Sequence, residues 1–282
     1  MPVIRLGPRA SGALPAGLLV FASLAASAPA AAQSEPESHA KVSLIAEEVS
    51  ISSGQTLWVG VLFQLDPGWH IYWQNPGDSG EPPKIRWELP PGYQAGGIRW
   101  PLPIRLSHGS VVDYAYEQQV LLMAPIMSET RSKSAVPVTL GAGVRYVVCS
   151  EICIPGKARL TLSIPDSQRQ QAQYRKLFED TRARLPRRAP FAWKVSVQSN
   201  QNQLVLTIEG AKLPKEAVFF PLDPGVIENA APQTIGASQG GFRLALRKSD
   251  NAIKPVAALR GVVVLDQERG FEIAAPLGGQ SP

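Results

Sequence analysis

Cysteine is nearly absent from this chain, with only Cys149 and Cys153 among 282 residues, and there are only three histidines and three methionines. Several catalytic signatures are also missing. The sequence has no Gly-x-Ser-x-Gly elbow, no His-Glu-x-x-His pair and no phosphate loop, and no carboxylate pairs convincingly with a histidine. Hydrolase chemistry therefore finds little support. Long apolar runs are lacking after the first thirty residues. Residues 111–127 are interrupted by Asp113, Glu117 and two glutamines, and 256–265 are far shorter than the roughly 20 apolar residues of a membrane span. Charge of one sign is lacking as well. The formal net charge is +5, and it falls to +3 once Arg5 and Arg9 are set aside with the leader described below. That bias is too weak to argue for a nucleic-acid partner. Strong helical periodicity is scarce.

What is present begins with an export signal. Arg5 and Arg9 supply a basic start, 13–26 is an apolar stretch rich in Leu and Ala, and Ala30-Ala31-Ala32 before Gln33 fits a small-residue cleavage site. Residues 1–32 are thus expected to be a signal peptide cleaved near Ala32. The mature chain is then expected outside the cytoplasm with no transmembrane segment. An exported protein seldom leaves thiols idle.

The two cysteines lie four positions apart in Tyr146-Val147-Val148-Cys149-Ser150-Glu151-Ile152-Cys153-Ile154-Pro155-Gly156. Such a pair serves as a structural loop, a reversible redox couple or a metal site. In a straight strand the two Cα atoms would stand roughly 13 Å apart, whereas a disulfide needs about 4.4–6.8 Å. The backbone must therefore turn between them if they bond. Their flanks, 144–148 and 158–164, read as strands, and Pro155-Gly156 reads as a second turn. The pair is placed on a tight connection at a sheet end. Closing so short a loop removes little unfolded-state entropy, which weakens a stapling role. Exposed or strained disulfides are the labile or catalytic ones, which favours redox chemistry.

Pro (26) and Gly (24) punctuate many short strand patterns, which points to an all-β protein of two immunoglobulin-like β-sandwiches. Strands are expected over 41–46, 56–65, 69–73, 84–88, 136–148 and 158–164, with a strand or hairpin over 114–126 and a loop over 75–83. Residues 166–188 differ in kind. They are charged and Gln-rich, with Tyr174, Leu177 and Phe178 at i, i+3 and i+4, which predicts one amphipathic helix ending at Leu185-Pro186. The expected organisation is a signal peptide at 1–32, a redox β-sandwich at 33–165, a helical linker at 166–190 and a second β-sandwich at 191–282. That last part holds no Cys and no His, so it reads as a packing or partner-binding domain.

Three segments carry a resemblance. They are Pro67-Gly68-Trp69-His70-Ile71-Tyr72-Trp73, then Asn75-Pro76-Gly77-Asp78-Ser79-Gly80, and the strand–Cys–turn–Cys–Ile-Pro stretch. In these the chain resembles the amino-terminal periplasmic domain of the DsbD/ScsB thiol–disulfide reductase family. The second half is similar to the ScsB-type extension through Phe219-Phe220-Pro221 and Asp223-Pro224-Gly225-Val226-Ile227. The spacing of three residues between the cysteines follows ScsB-like members, while the DsbD type has five. The sequence also stops at Pro282 without a membrane domain or a thioredoxin-like domain.

The resemblance implies a thiol:disulfide oxidoreductase without cofactor or metal. Cys153 would form mixed disulfides and Cys149 would resolve them. A cap loop matched loosely by Asp113-Tyr114-Ala115-Tyr116 would set Tyr114 or Tyr116 over the sulfurs. The implied partners are a separate membrane-embedded thiol carrier of DsbD/CcdA type and periplasmic disulfide-containing or thioredoxin-like proteins. Clients would come from cytochrome c maturation, disulfide isomerisation or copper stress. Arg145, Lys157 and Arg159 would favour a Cys thiolate and Glu151 would oppose it. His70, inside an aromatic strand, reads as a buried core residue. Two rivals remain. One is a copper(I) chaperone using the same thiolates with Met123, Met127, His70 or His108. The other is a non-catalytic assembly module with a structural disulfide.

Overall fold

The chain was analysed as a computed structural model that describes residues 1–3, 38–48, 56–128, 138–164, 174–250 and 257–277. The expected signal peptide lies outside these residues apart from 1–3. Ser38–Pro282 forms one compact unit. Its first part holds ten strands: β1 Ala40–Ala46, β2 Thr56–Leu65, β3 His70–Gly77, β4 Lys84–Glu88, β5 Tyr93–Ala95, β6 Ile104–His108, β7 Val111–Glu117, β8 Gln119–Ser128, β9 Val138–Cys149 and β10 Cys153–Ile164. They make a four-stranded sheet, β1-β2-β8-β5, facing a six-stranded one ordered β10-β9-β3-β7-β6, with β4 added on β9. This is the expected immunoglobulin-like sandwich. Its core lies between the sheets, where Val59, Val61, Phe63, Ile71, Trp73, Tyr114, Val120, Leu122, Val144 and Val148 are buried together.

Period-two alternation explains which side chains enter that core. On β3, Ile71 and Trp73 face inward, so His70 and Tyr72 face the outer side of the six-stranded sheet. On β9, Val144, Tyr146 and Val148 face inward, so Arg145, Val147 and Cys149 face outward. The strand predicted over 56–65 is β2 and that over 84–88 is β4; Val59, Val61 and Phe63 of β2 enter this core while Leu62 is buried on the opposite face.

Three local readings are corrected. The expected loop over 75–83 begins later, since β3 continues to Gly77 through a register shift between Tyr72 and Gly77. The 114–126 segment is a corner rather than a hairpin. β7 and β8 belong to different sheets, and Gln118 turns the chain between them with φ 58°. Pro155-Gly156 is no turn but part of β10, with Pro155 opposite Val147 and Gly156 opposite Tyr146. β10 is an edge strand, the place in a sheet where proline's missing N–H costs little. Gly156 is required because a Cβ there would stand 2.3 Å from the Tyr146 ring.

Helix α1, Arg175–Ala183, follows. It is shorter than predicted, and residues 165–173 lie outside the described residues. Phe178 is fully buried, with Tyr174 and Leu177 packed beside it. Together they cover Ile45, Leu62, Leu121 and Met123 on the outer face of the first sheet. Arg182 bonds both carboxylate oxygens of Glu47. The narrow apolar stripe read from the sequence is the surface that docks.

The carboxy-terminal half contains β11 Arg187–Arg188, β12 Lys194–Ser199, β13 Gln203–Glu209, β14 Ala217–Pro221, β15 Thr234–Ser238, β16 Gly241–Arg247, β17 Ala258–Leu265 and β18 Arg269–Pro276. Two four-stranded sheets, β11-β18-β17-β14 and β12-β13-β16-β15, enclose a second core. One edge of this half closes on the first. Phe220 packs edge-on against Trp73 and Tyr114, with ring centroids 6.1 and 5.1 Å away. Asn75 Nδ2 donates to the Pro221 carbonyl at 2.8 Å. Asn229 donates to Asp78 at 2.7 Å and accepts from the Tyr114 hydroxyl at 2.7 Å. Arg105 also donates to the Asn229 carbonyl.

Truncating a buried aromatic typically costs about 3–5 kcal/mol. Phe220→Ala should therefore lower stability by roughly 3 kcal/mol. Because Phe220 belongs to the core of the first half, urea unfolding followed by Trp fluorescence should shift as one transition. Separate transitions for the two halves would contradict this coupling.

Candidate functional site

The β9–β10 hairpin brings the cysteines together. Cys149 and Cys153 are direct cross-strand partners with Cα atoms 4.2 Å apart, and their sulfurs are bonded. Ser150, Glu151 and Ile152 form the connecting loop, closed by a Ser150 N–H to Ile152 carbonyl bond of 3.0 Å. The two sulfurs are not equivalent. Cys149 is 1% exposed, while Cys153 is exposed at the start of the edge strand. Ile152, at the loop tip, is 64% exposed.

On its other side Cys149 pairs with His70 of β3. This row places His70 and Tyr72 on the face that carries the disulfide. Both are buried: the segment after β3 folds back over Tyr72, and the His108 ring stacks on that of His70 with centroids 5.9 Å apart. A Cβ on Gly80 would stand 2.0 Å from the Tyr72 ring, so only glycine admits this cover, and its φ of 66° suits glycine too. The Tyr72 hydroxyl lies 3.8 Å from Cys153 Sγ and 3.3 Å from Ser79 Oγ. Ser79 donates its hydroxyl to Asp113 Oδ1 at 2.9 Å and its backbone N–H to the same oxygen at 3.1 Å. Asp113 Oδ2 stands 3.8 Å from His70 Nε2, which has no hydrogen-bond partner among the described residues. A polar chain therefore runs from Cys153 through Tyr72, Ser79 and Asp113 to His70.

The direction of its bonds follows from proton count. An ionised Asp113 only accepts, so the single Ser79 proton is committed to it. Ser79 Oγ then accepts from Tyr72 while the sulfur is in a disulfide, a weak acceptor. Burial raises the Tyr72 pKa above its ordinary value, with Ser79 partly opposing and Asp113 adding to the rise. The phenol thus stays a donor. Burial also lowers the pKa of His70, which Asp113 partly offsets and His108 reinforces. The imidazole is held neutral.

The expected site residues fare differently. Cys149, Cys153 and Asp113 lie together. Tyr114 and Tyr116 do not cover the sulfurs. Tyr114 is fully buried between Trp73 and Phe220, and Tyr116 donates to the Pro101 carbonyl at 2.7 Å. Alternation is the reason: Asp113 faces the outer side of β7, so Tyr114 and Tyr116 both face the core. The aromatic group at Cys153 is Tyr72, on a different strand. Tyr72 and Ser79 were not singled out by sequence reasoning, although His70 and Tyr72 at i and i+2 are a readable sign of a shared face. Met123 is buried beneath α1, and both Met123 and Met127 belong to the four-stranded sheet, away from the thiols. Among the described residues no three His, Cys, Asp or Glu side chains cluster in a way that could hold a metal ion. No described helix is long and apolar enough to cross a membrane.

The basic residues expected to favour a thiolate are also displaced. Lys157 and Arg159 lie four and six residues along β10, so their Cα atoms are about 13 and 20 Å from that of Cys153.

The family profile described as "Thiol:disulfide interchange protein DsbD, N-terminal" matches residues 41–165. No curated protein matches the chain. Among solved structures, the crystal structure of the N-terminal periplasmic domain of ScsB from Proteus mirabilis superposes with a TM-score of 0.64 at 20% identity. That alignment covers 85% of this chain and 94% of the other, and it supports the fold. The periplasmic chaperone SfaE covers 84% of this chain and 98% of its own at 9% identity. Its TM-score of 0.23 carries no argument.

Because the folded-state pKa of His70 lies below its unfolded value of 6.5, the unfolded chain binds the proton more readily. The stability present above pH 6.5 should therefore fall as pH drops through 6.5 toward the folded pKa. Urea midpoints at pH 7.5 and 5.5 should differ less in His70→Gln than in wild type, and an unchanged difference would remove His70 as the cause.

Proposed function

We propose, from the match of residues 41–165 to the family model of the DsbD N-terminal thiol:disulfide interchange domain, that this chain is a periplasmic dithiol relay. In this reading it accepts electrons from a separate membrane-embedded thiol carrier and reduces disulfides of periplasmic clients. The observation that carries it is an exposed Cys153 bonded to a buried Cys149, with a phenol donor 3.8 Å from the exposed sulfur. Periplasmic location is supported by the leader-like composition of residues 1–32.

The chemistry balances as two exchanges. In the reduced protein, the Cys153 thiolate attacks one sulfur of a client disulfide. The client S–S bond breaks, a Cys153–client bond forms, and one client thiolate leaves. The Cys149 thiolate then attacks Cys153 Sγ, restores the Cys149–Cys153 bond and expels the second client thiolate. Two electrons pass to the client, and a dithiol of the membrane carrier returns them. Burial of Cys149 suits the resolving role, since it reaches only the sulfur of its own cross-strand partner. A thiolate on Cys153 is a strong acceptor, so the Tyr72 proton turns from Ser79 Oγ to the sulfur. A hydrogen bond to a charged group contributes about 1.5–3 kcal/mol. It would take the place of the helix N-terminus that lowers thiol pKa in other redox proteins.

Cys153→Ser should abolish electron transfer, and Cys149→Ser should accumulate mixed disulfides with clients, seen on non-reducing gels. The reduction potential, from thiol trapping in glutathione and dithiothreitol buffers, should fall between about −180 and −270 mV. A value below about −300 mV would mark a structural bridge and sink the proposal. Tyr72→Phe should raise the Cys153 pKa by at least about one unit, as loss of one charge-assisted bond implies. The pH dependence of iodoacetamide alkylation measures it.

A further inference from the structure

The outer face of the sheet beyond the disulfide carries a charge pattern that neither the fold nor the exchange chemistry uses. Lys84, Arg145 and Lys157 are direct backbone partners across β4, β9 and β10, so their side chains form one row. The next row on the same face is Arg86, Gly143 and Arg159. Lys84, Arg86 and Arg159 side chains are 57, 75 and 76% exposed, and Arg145 and Lys157 are exposed as well. Two carboxylates answer these five cations. Glu81 pairs with Lys84 at 2.8 Å, and Glu88 is shared between Arg86 at 2.7 Å and Arg159 at 3.4 Å. Arg145 and Lys157 have no carboxylate within ion-pair distance among the described residues. Three positive charges are left unneutralised in a chain whose total is only +5.

Like charges directly opposite each other destabilise a sheet. Lysines on an edge strand do protect it from pairing with other chains, and that accounts for Lys157. It does not account for Arg145, which lies on β9 with paired strands on both sides. The row also has a direction. Cys153, Pro155, Lys157 and Arg159 occupy alternate positions on one face of β10, so the basic stripe lies in line with the exposed sulfur and begins four residues along the strand from it. Ile152, 64% exposed, precedes that sulfur in the loop as an apolar contact. A standard interface covers about 800 Å² per partner, enough to reach from Cys153 to Arg159.

We propose that the outer face of β4, β9 and β10 is the docking surface for a partner segment bearing acidic side chains next to the disulfide or dithiol that exchanges at Cys153. This rests on the exchange reading above and adds the chemistry by which a partner is recognised. The stripe attracts the acidic segment and Ile152 packs beside the sulfur. Complementary charge of this kind acts mainly on association rate and is screened by salt.

The test uses the reduced mature chain and two fluorescence-quenched disulfide peptides of equal length. One carries Asp and Glu around its cysteines, the other Asn and Gln at the same positions. The acidic peptide should be reduced about 10-fold faster at low ionic strength, within the range electrostatic steering supplies. The advantage should shrink below about 2-fold at 0.5 M salt. In the triple variant Arg145→Gln, Lys157→Gln, Arg159→Gln the ratio should approach one. Equal rates for the two peptides at low salt, or a ratio that survives in the triple variant, would overturn the surface. Reduction of neither peptide is the separate failure of the exchange reading. Fluorescence anisotropy of a cysteine-free acidic peptide then still decides the surface: binding lost in the triple variant supports it, and no binding overturns it.

Discussion

Cys149 pairs with Cys153 on one side and with His70 on the other, and this one row of backbone partners governs the arrangement around it. In a pleated sheet, neighbours in a row point to the same face. Once Cys149 faces outward, so do His70, Tyr72, Cys153 and the alternate residues of β10. Their sequence neighbours, Ile71, Trp73, Tyr146 and Val148, are thereby committed to the core. A one-residue slip of β9 would bury the disulfide and expose the core. The redox pair and the hydrophobic core therefore rest on the same register.

The site needs cover as well as register. Tyr72, Asp113 and His70 are polar groups out of water, and such groups are costly unless bonded. Asp78 accepts from the Val112 N–H at 2.8 Å and from Asn229 at 2.7 Å. It thereby holds the segment that brings Ser79 to Asp113 and Gly80 over Tyr72. Asn229 belongs to the carboxy-terminal half. The half that contains no cysteine and no histidine thus contributes to the geometry behind the disulfide, through Asn229, Phe220 and the Pro221 carbonyl.

The outer face divides into two zones along β10. Near the hairpin, the sulfur lies against a neutral donor and a covered polar chain. Farther along, from Lys157 onward, cations gather on the strand face, with Gly143 between Arg86 and Arg159. The first zone can act on the reacting sulfur. The second lies along the strand from it, which sets recognition beside chemistry on one continuous sheet.

Much of this was legible without coordinates. Alternating β-branched and aromatic runs set the all-β class and the bounds of β2 and β4, and the Tyr174, Leu177 and Phe178 spacing located the helix. The closeness of two cysteines demanded a turn, because a straight strand would hold them apart. Local chemistry determines such features. Which strands pair, and in what register, depends on contacts between distant residues, and only the tertiary structure decided them. It placed Tyr72, Ser79 and Asp113 behind the sulfur, sent Tyr114 and Tyr116 into the core, and made Pro155-Gly156 part of a strand under the Tyr146 ring. It also turned scattered Lys and Arg residues into a row, because adjacency across strands is a property of register and not of sequence distance.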